Sequence, residues 1–384
     1  MEAYLDNSAT TYVTEDVKNV VVKVMTEEFG NPSSKHLKGL EAEKVLRSAR
    51  ETLASTLHCN PGEIFFTSGA TESNNWAIRE GAFANRRRGK HVITTAVEHP
   101  SVLMPVHHLM EEGYEATFLR VDGEGHIDLE ELKAALRPDT TLVSIMMVNN
   151  EVGALEPIEE AGKIIKAYDR RILFHVDAVQ GYGKLPINPS KLNIDLMSIS
   201  GHKLHAPKGT GFLYVKNGAK ITPMMLGGGQ QGGMRSGTDN VPGAAGLAQA
   251  AKDCYDNLSD NTAHFQMLKD RLVSGLKEMD QVVINSITEP NVPWIVSAAF
   301  VGVRSEVLLH ALEDKGVSVS AGSACSSNKK LPVSTVLQEM HLSQETAEAT
   351  LRFSFSRFTT PEEVDYALEC IRELVPMLRR YSRR

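Results

Sequence analysis

Short apolar segments alternate with helical patterns over much of this 384-residue chain. The apolar segments have the length of β-strands and lie at residues 64–66, 91–95, 115–121, 141–148, 172–176, 194–197 and 212–215. Most of them are separated by stretches with helical periodicity, such as residues 128–136 and 157–169. Strands joined by helices predict a mostly parallel sheet with helices packed on both faces. The sequence therefore predicts an α/β fold.

The chain is longer than one hydrophobic core usually supports, so two domains are expected. Residues 15–256 contain the alternating strands and helices and predict a large domain with a mostly parallel sheet. From about residue 257 the pattern predicts a smaller α+β domain. We expect residues 1–14 to join residues 257–384 in this smaller domain.

Polar clusters follow the predicted strands at the point where each strand ends. They comprise residues 67–73, 98–100 and 149–151, together with Asp177 and the stretch 198–203. Open α/β sheets bind ligands at the carboxyl ends of their strands. The common placement of these clusters predicts a ligand site at that edge of the sheet.

Lys203 and Asp177 are the pair that gives this site a specific chemistry. A lysine with a lowered pKa can form a Schiff base with an aldehyde, and a carboxylate can protonate a pyridine nitrogen. Pyridoxal phosphate sites need both groups. The alternative is that Lys203 is a solvated loop residue, as most lysines are.

Several other polar residues at strand ends have two interpretations each. Residues 68–71, which include Ala70 and Thr71, could bind a phosphate at a helix N-terminus or could merely cap that helix. His99 could stack on a planar cofactor or have no role. Asn150 and Gln180 could bond a cofactor oxygen or cap a helix.

Cys325 and Arg352 are candidates in the second half of the chain. Cys325 lies among small polar residues with two lysines nearby, a setting that can lower the pKa of a thiol. Arg352 could clamp a carboxylate with two parallel hydrogen bonds, or could face outward from a strand. Cys59, Cys254 and Cys370 lie in or beside helical patterns, which favours structural roles.

Composition excludes several classes of protein. The formal net charge of −7 argues against a nucleic-acid binder, and no apolar run approaches the ~20 residues of a membrane helix. The four cysteines form no CxxC motif, so no metal site or disulfide framework is expected. With no signal-like N-terminus, we expect a cytoplasmic protein.

Ten short motifs, in order along the whole chain, resemble those of the NifS/IscS-type cysteine desulfurases. These are pyridoxal phosphate enzymes of the class V aminotransferase family with the aspartate-aminotransferase fold, also called fold type I. The motifs are D-N-S-A-T-T (6–11), G-N-P-S-S (30–34), T-S-G-A-T-E-S (67–73), V-E-H (97–99), N-N-E (149–151), H-V-D-A-V-Q (175–180), S-G-H-K (200–203), R-S-G-T (235–238), G-S-A-C-S-S (322–327) and R-F-S…R-F-T-T (352–360).

The resemblance implies a role for each candidate. Lys203 would hold pyridoxal 5'-phosphate as a Schiff base, with Asp177 at the pyridine nitrogen and His99 stacked on the ring, where it helps to move protons. Arg352 and Asn31 would bind the substrate carboxylate. The implied cofactor ligands are Lys203, Asp177, Gln180, Asn150, His99, Ala70, Thr71, Ser200, His202 and, from the other subunit of a homodimer, Thr238.

The implied reaction converts L-cysteine to L-alanine and leaves the sulfur on Cys325 as a persulfide. A protein would accept that sulfur, either an iron–sulfur scaffold or a tRNA-thiolation enzyme. The alternatives are a selenocysteine lyase or another carbon–sulfur lyase that uses pyridoxal phosphate, and a non-enzymatic scaffold subunit of a sulfur relay. Cys325 favours persulfide formation over simple elimination, and the presence of Lys203 and Asp177 argues against a scaffold.

Overall fold

A computed structural model describes residues 1–285, 287–321 and 334–382. The strands are β1 Ala3–Tyr4, β2 Ile64–Thr67, β3 His91–Thr95, β4 Glu115–Leu119, β5 Thr140–Met146, β6 Leu173–Asp177, β7 Leu196–Ser200, β8 Gly211–Val215, β9 Val282–Asn285, β10 Ile295–Phe300, β11 Val317–Ser318, β12 Ser320–Ala321 and β13 Thr350–Ser354. The α-helices are α1 Glu15–Thr26, α2 Leu37–Leu57, α3 Ala70–Asn75, α4 Gly81–Asn85, α5 Pro100–Glu111, α6 Leu129–Ala135, α7 Ile158–Tyr168, α8 Val241–Asp256, α9 Leu258–Lys277, α10 Ser305–Glu313, α11 Thr335–Glu339, α12 Gln344–Glu348 and α13 Pro361–Ser382. A π-helical turn, Trp76–Glu80, joins α3 to α4, and a 3₁₀ turn, Gly201–Lys203, follows β7.

The largest sheet among the described residues joins seven strands in the order β2-β8-β7-β6-β5-β3-β4. Strands β3, β4, β5, β6 and β7 pair in parallel, which confirms a mostly parallel sheet. Strand β8 is antiparallel to both β7 and β2. It reverses because no crossover helix separates it from β7, and a parallel return would need one. The carboxyl ends of β2, β3, β5, β6 and β7 therefore lie at one edge.

Two smaller sheets lie outside the large one. Strands β12, β13, β10 and β9 form an antiparallel sheet, and β1 pairs in parallel with β11. Residues 317–321 thus form two short strands, β11 and β12, in different sheets. Val319 lies between them, and its neighbours on either side pair with different partners.

Helices cover the large sheet, and buried apolar side chains fill the space between the layers. Helix α8 packs against α1 and α2. Phe174, Ile199 and Phe212 of the sheet are fully buried in the main hydrophobic cluster. None of the helices in the described ranges is long and apolar enough to cross a membrane.

The first residues of the chain connect the smaller sheets to the large one. The amide of Leu5 donates to the carbonyl of Ser318, and the amide of Asn7 donates to that of Ser354. A few residues later, the amide of Thr11 donates to the carbonyl of His202, beside the large sheet. The domain boundaries at 14/15 and 256/257 stay a prediction.

Candidate active site at the carboxyl edge of the large sheet

Lys203 lies at the end of the 3₁₀ turn that follows β7. Its Nζ donates hydrogen bonds to the carbonyl oxygens of Ser8 and Ala9, at 2.5 Å and 2.7 Å. Carbonyl oxygens stabilise an ammonium group because they accept its hydrogens. The N-terminal site segment, residues 6–9, therefore forms one wall around the lysine amine.

Gln180 shares this wall with Lys203. Its Nε2 donates to the carbonyl oxygen of Ser8 at 3.1 Å. Its Oε1 is buried and has no hydrogen-bond partner among the described residues. An unpaired buried oxygen is unfavourable, so this atom marks a position where a ligand with a donor group would be stabilised.

Asp177 is the last residue of β6, and its side chain is only slightly exposed. Its Oδ2 accepts a hydrogen bond from Nδ2 of Asn74 at 2.8 Å, and its Oδ1 accepts one from the amide of Val179 at 3.0 Å. These donors hold the carboxylate in a fixed orientation at the end of the central strand.

His99 is the N-cap residue of α5. Its Nδ1 accepts a hydrogen bond from the amide of Ser101 at 3.1 Å and lies 2.7 Å from Oγ of the same residue. His99 is exposed at the cleft, but the protein atoms packed around its ring exclude part of the solvent and lower its pKa; the carboxylate of Asp177 opposes this effect and the ammonium of Lys203 reinforces it. Both charges are therefore close enough to act on the imidazole.

The turn between β2 and α3 forms the predicted phosphate end of the site. Gly69 has a φ of 143°, which L-residues rarely adopt, and a Cβ there would lie 3.4 Å from Oγ of Ser200. The first amides of a helix, here those of Ala70 and Thr71, have no intrahelical partner. Thr71 is exposed and, with His99, lines an open cleft of about 600 Å³.

His202 is held by the residues that follow the N-terminal site segment. Its ring Nδ1 lies 3.2 Å from Oγ1 of Thr10, and its carbonyl oxygen accepts from the hydroxyl of Thr11 at 2.9 Å. Burial, reinforced by Lys203 and Lys208, lowers the pKa of His202 to about 4. The imidazole is therefore neutral at neutral pH.

Arg352 lies on β13 and is buried, so the outward-facing alternative is excluded. Its Nη2 forms an ion pair with Oδ1 of Asp6 at 2.7 Å, and its Nη1 donates to the carbonyl oxygen of Asn150 at 2.9 Å. Its Nε is buried and unpaired in the part of the chain described here. Burial raises the pKa of neighbouring Glu151, a shift that the bond from Ser334 and the charge of Arg352 oppose.

Other predicted site residues make few or no described contacts with this group. Asn31 lies exposed in the turn between α1 and α2, where its Oδ1 accepts from the amide of Ser33 at 2.9 Å, and no described contact links it to Arg352. Thr238 is exposed and makes no side-chain hydrogen bond to any other described residue. Asn150 contributes a backbone oxygen to Arg352. Cys325 lies outside the described residues.

Sequence reasoning missed the roles of the N-terminal site segment, Asn74 and Ser101. The segment contacts Lys203, Gln180 and Arg352, although its sequence served only to support the family resemblance. Asn74 lies three residues after Thr71 on one helix, so both side chains lie on one face. That spacing is the signal that could have identified Asn74.

Comparisons with known proteins agree with this geometry. The family model of the class-V aminotransferases matches residues 3–367. A cysteine desulfurase IscS from Methanosarcina thermophila is 43% identical over 379 residues, covering 99% of this chain and 93% of the relative. A cysteine desulfurase IscS from Serratia proteamaculans (strain 568) is 44% identical over 384 residues, covering 99% of this chain and 94% of the relative.

A solved structure of a NifS-like protein has the same fold. It superposes with a TM-score of 0.93 at 39% sequence identity and covers 98% of this chain and 100% of the solved one. This superposition confirms the predicted fold class. The chain belongs to the class-V aminotransferase family, among its pyridoxal-phosphate-dependent cysteine desulfurases of the NifS/IscS type.

Proposed function

We propose that this protein converts L-cysteine to L-alanine and transfers the sulfur to Cys325 as a persulfide. The main supporting observation is that Asp177 ends strand β6 and Lys203 follows the neighbouring parallel strand β7 at the same edge of the sheet, where both act on the imidazole of His99. An acid, a primary amine and an aromatic ring thus lie at one edge of the sheet, close enough to interact. Pyridoxal phosphate chemistry needs the amine and the acid together, and an aromatic ring can stack on the cofactor.

The residues at this edge fit pyridoxal phosphate. The unpaired Oε1 of Gln180 supplies an acceptor for a ring substituent. We assign the phosphate to the turn at Gly69, where a Cβ would contact Oγ of Ser200. We assign Asp177 to the pyridine nitrogen and Lys203 to the aldehyde. When bound, the cofactor supplies an electrophilic carbon and a ring that accepts electrons from the Cα of the substrate.

Lys203 is the group that we assign to removing the proton from Cα of cysteine. The carbonyl oxygens of Ser8 and Ala9 accept hydrogens from its Nζ. They therefore stabilise the ammonium form that results when the amine takes up this proton. The N-terminal site segment thus supports Lys203 in its role as a base.

Arg352 is the group that we assign to the substrate carboxylate. Its guanidinium is buried, it is held by Asp6 and by the carbonyl of Asn150, and its Nε is unpaired. A guanidinium has five N–H donors, so a substrate carboxylate can bind while Asp6 stays in place. Asn31 stays a proposed second ligand of that carboxylate.

The sulfur transfer is assigned to Cys325. Its thiolate forms a bond with the sulfur of cysteine while the carbon–sulfur bond breaks. The electron pair of the broken bond stays on the carbon skeleton, which takes up a proton there and is released as alanine. The balanced products are alanine and an enzyme persulfide, which a reducing thiol converts to sulfide and free enzyme.

A homodimer would complete the site. Thr238 is exposed and Met104, which lines the open cleft beside Thr71 and His99, is 64% exposed. A contact with another protein chain would remove this apolar side chain from water, which is favourable. A second copy seated there would cover Met104 and supply its own Thr238 to the phosphate.

We propose a cytoplasmic enzyme whose persulfide passes to a protein acceptor, either an iron–sulfur scaffold or a tRNA-thiolation enzyme. The relatives named cysteine desulfurase IscS support a role in sulfur supply. Cys59, Cys254 and Cys370 are free thiols.

The test of this function compares two cysteine variants. Wild-type protein given L-cysteine and dithiothreitol should release equal amounts of alanine and sulfide. Cys325→Ala should keep the yellow colour of bound cofactor and lose sulfide release. Cys59→Ala is the matched control and should keep full activity, because burial raises the pKa of Cys59 to about 12 and keeps it a thiol.

Two outcomes would contradict the proposal. Full sulfide release by Cys325→Ala would remove the persulfide step. Release of selenide from selenocysteine, with no sulfide from cysteine, would identify a selenocysteine lyase instead.

A further inference from the structure

Asn74 links Asp177 to the helix that carries His99. It is fully buried in α3, and its Nδ2 donates to Oδ2 of Asp177 at 2.8 Å and to Oγ of Ser101 at 2.9 Å. A carboxylate only accepts hydrogen bonds, so the amide nitrogen must face Asp177. Both amide hydrogens are then in use, one at each partner.

The hydroxyl group of Ser101 connects Asn74 to His99. Its Oγ accepts from Asn74, so its own hydroxyl hydrogen is available for Nδ1 of His99, which lies 2.7 Å away. Its backbone amide, which only donates, also binds Nδ1 at 3.1 Å. Nδ1 therefore acts as an acceptor, and a neutral imidazole must then carry its proton on Nε2.

The surroundings of His99 also favour the neutral ring. The packing of protein atoms around the ring lowers its pKa and Lys203 reinforces the effect, while Asp177 opposes it. Arg79 and His108 line the same cleft and add no negative charge. A proton on Nδ1 would also displace both hydrogen bonds from Ser101.

We infer that Asn74 and Ser101 are positioning residues that hold His99 neutral with its proton on Nε2. His99 then presents an N–H donor to the cleft and is not a base in the reaction. A neutral histidine can serve catalysis as a hydrogen-bond donor. The inference rests on the proposed function only for the identity of the group that receives this hydrogen bond, and it leaves Lys203 as the base.

The test is a nitrogen-15 NMR spectrum of histidine-labelled, full-length protein loaded with pyridoxal phosphate. The resonances of His99 are identified by their loss in His99→Gln. Long-range proton–nitrogen correlations distinguish the two neutral tautomers and the charged ring. We expect the neutral Nε2–H form, retained at pH values near the ordinary histidine pKa of about 6.5.

Variants of Ser101 and Asn74 distinguish a role in positioning His99 from a general role in folding. In the wild type the hydroxyl of Ser101 donates to Nδ1 of His99 and so competes with a proton at that nitrogen. Ser101→Ala removes this donor and should therefore raise the pKa of His99. Asn74→Ala should act in the same direction, and Ser101→Thr, which keeps a hydroxyl, should restore the wild-type spectrum. Asn75→Ala is the control, because Asn75 donates to the carbonyl of Thr71 instead.

Kinetics supply the second measurement. In Ser101→Ala, kcat for cysteine should fall about five- to tenfold with little change in KM, the size expected for one lost hydrogen bond. Ser101→Thr should recover most of that loss. A loss of fold would lower activity in both variants alike and would leave no such difference.

Two results would overturn the inference. One is a wild-type spectrum with the proton of His99 on Nδ1 or on both nitrogens at neutral pH. The other is a set of His99 signals unchanged in both Ser101→Ala and Asn74→Ala. Because the spectrum needs no cysteine turnover, this failure is distinguishable from a failure of the proposed desulfurase activity.

Discussion

At the scale of single residues, Arg352 shows how a buried charge is prepared for a ligand. Its guanidinium is neutralised within the chain by Asp6 and oriented by the carbonyl of Asn150. This pairing avoids an isolated buried cation, which would be strongly unfavourable. It also places an acid where a substrate carboxylate would bind, so Asp6 affects substrate affinity.

We therefore expect opposite effects from the two partners. Arg352→Ala should raise the apparent KM for cysteine, because an ionic contact of about 1.5–3 kcal/mol is lost. Asp6→Asn keeps an oxygen acceptor but removes the charge, and should lower that KM about two- to fivefold. Steady-state rates of alanine formation over a range of cysteine concentrations measure both.

A matched control is Arg271→Ala, which removes a half-exposed arginine that is ion-paired with Asp365. It should leave the KM unchanged. If Arg352→Ala also left the KM unchanged, Arg352 would be a structural residue that only compensates Asp6.

The residues predicted from sequence are those whose chemistry is distinctive. Lys203 and Asp177 each follow a recognisable strand, so their shared edge could be predicted from the sheet alone. Asp6 and Asn74 could not be found this way, because their partners Arg352 and Asp177 are 346 and 103 positions away. Aspartate and asparagine are also common in turns and caps, so their type alone indicates nothing.

At the scale of elements, a line of side chains joins the three central strands behind the site. His175 of β6 is fully buried, and its ring contacts Oγ of Ser144 on β5 at 2.8 Å and Oγ of Ser198 on β7 at 2.9 Å. It lies two residues before Asp177, so both side chains are on the same face of the sheet. The line fixes the strand that carries Asp177.

The burial of His175 predicts an effect of pH on stability. Burial lowers its pKa to about 3, whereas the unfolded chain has the ordinary histidine value of about 6.5. Below pH 6.5 the unfolded state binds a proton that the folded state does not, so this histidine lowers stability as the pH falls from about 6.5 to about 3. Above about pH 6.5 it has no such effect.

Urea unfolding at about pH 7.5 and about pH 5.5 tests this, since the interval spans the ordinary histidine pKa. We expect the free energy of unfolding to be lower at the acid value, and the difference to be smaller in His175→Gln. The exposed His310 supplies the control variant, His310→Gln, which should keep the wild-type difference. An unchanged difference in His175→Gln would exclude His175 as a source of acid sensitivity.

The elements themselves follow from periodicity, but their partners do not. The predicted strands of the large sheet are present, with ends that differ by a few residues. The reversed direction of β8 depends on the absence of a helix after β7, and the division of residues 317–321 depends on contacts with residues far along the chain. Both depend on contacts between distant parts of the chain, which the strand propensity of a short segment does not predict.

At the scale of the whole molecule, the site is assembled from distant parts of the chain. Residues 6–9 contact Lys203 and Gln180 near the large sheet and Arg352 on β13. Movement of this segment would therefore shift the groups that we assign to cofactor and substrate together. The pairing of β1 with β11 and the bond from the amide of Asn7 to the carbonyl of Ser354 support the proposal that residues 1–14 belong with residues 257–384.

The proposed dimer predicts that two variants, each with little or no activity alone, restore activity when they form a mixed dimer. If Thr238 completes the phosphate site of the partner subunit, Thr238→Val lowers cofactor binding in the partner's site, and Lys203→Ala disables the site of its own subunit. Each homodimer should be weakly active or inactive. A mixed dimer has one intact site, formed by Lys203 of the first variant and Thr238 of the second.

Unfolding and refolding the two variants together at equal concentrations should therefore restore activity. Random pairing makes about half of the dimers mixed, so about a quarter of all sites should be intact. The measurement is sulfide release per subunit, compared with each variant refolded alone. The activity of refolded wild-type protein defines full recovery. A mixture of Lys203→Ala with Cys325→Ala tests whether two variants with defects outside the phosphate site also restore activity to each other. No gain on mixing Thr238→Val with Lys203→Ala would place Thr238 outside the partner's site.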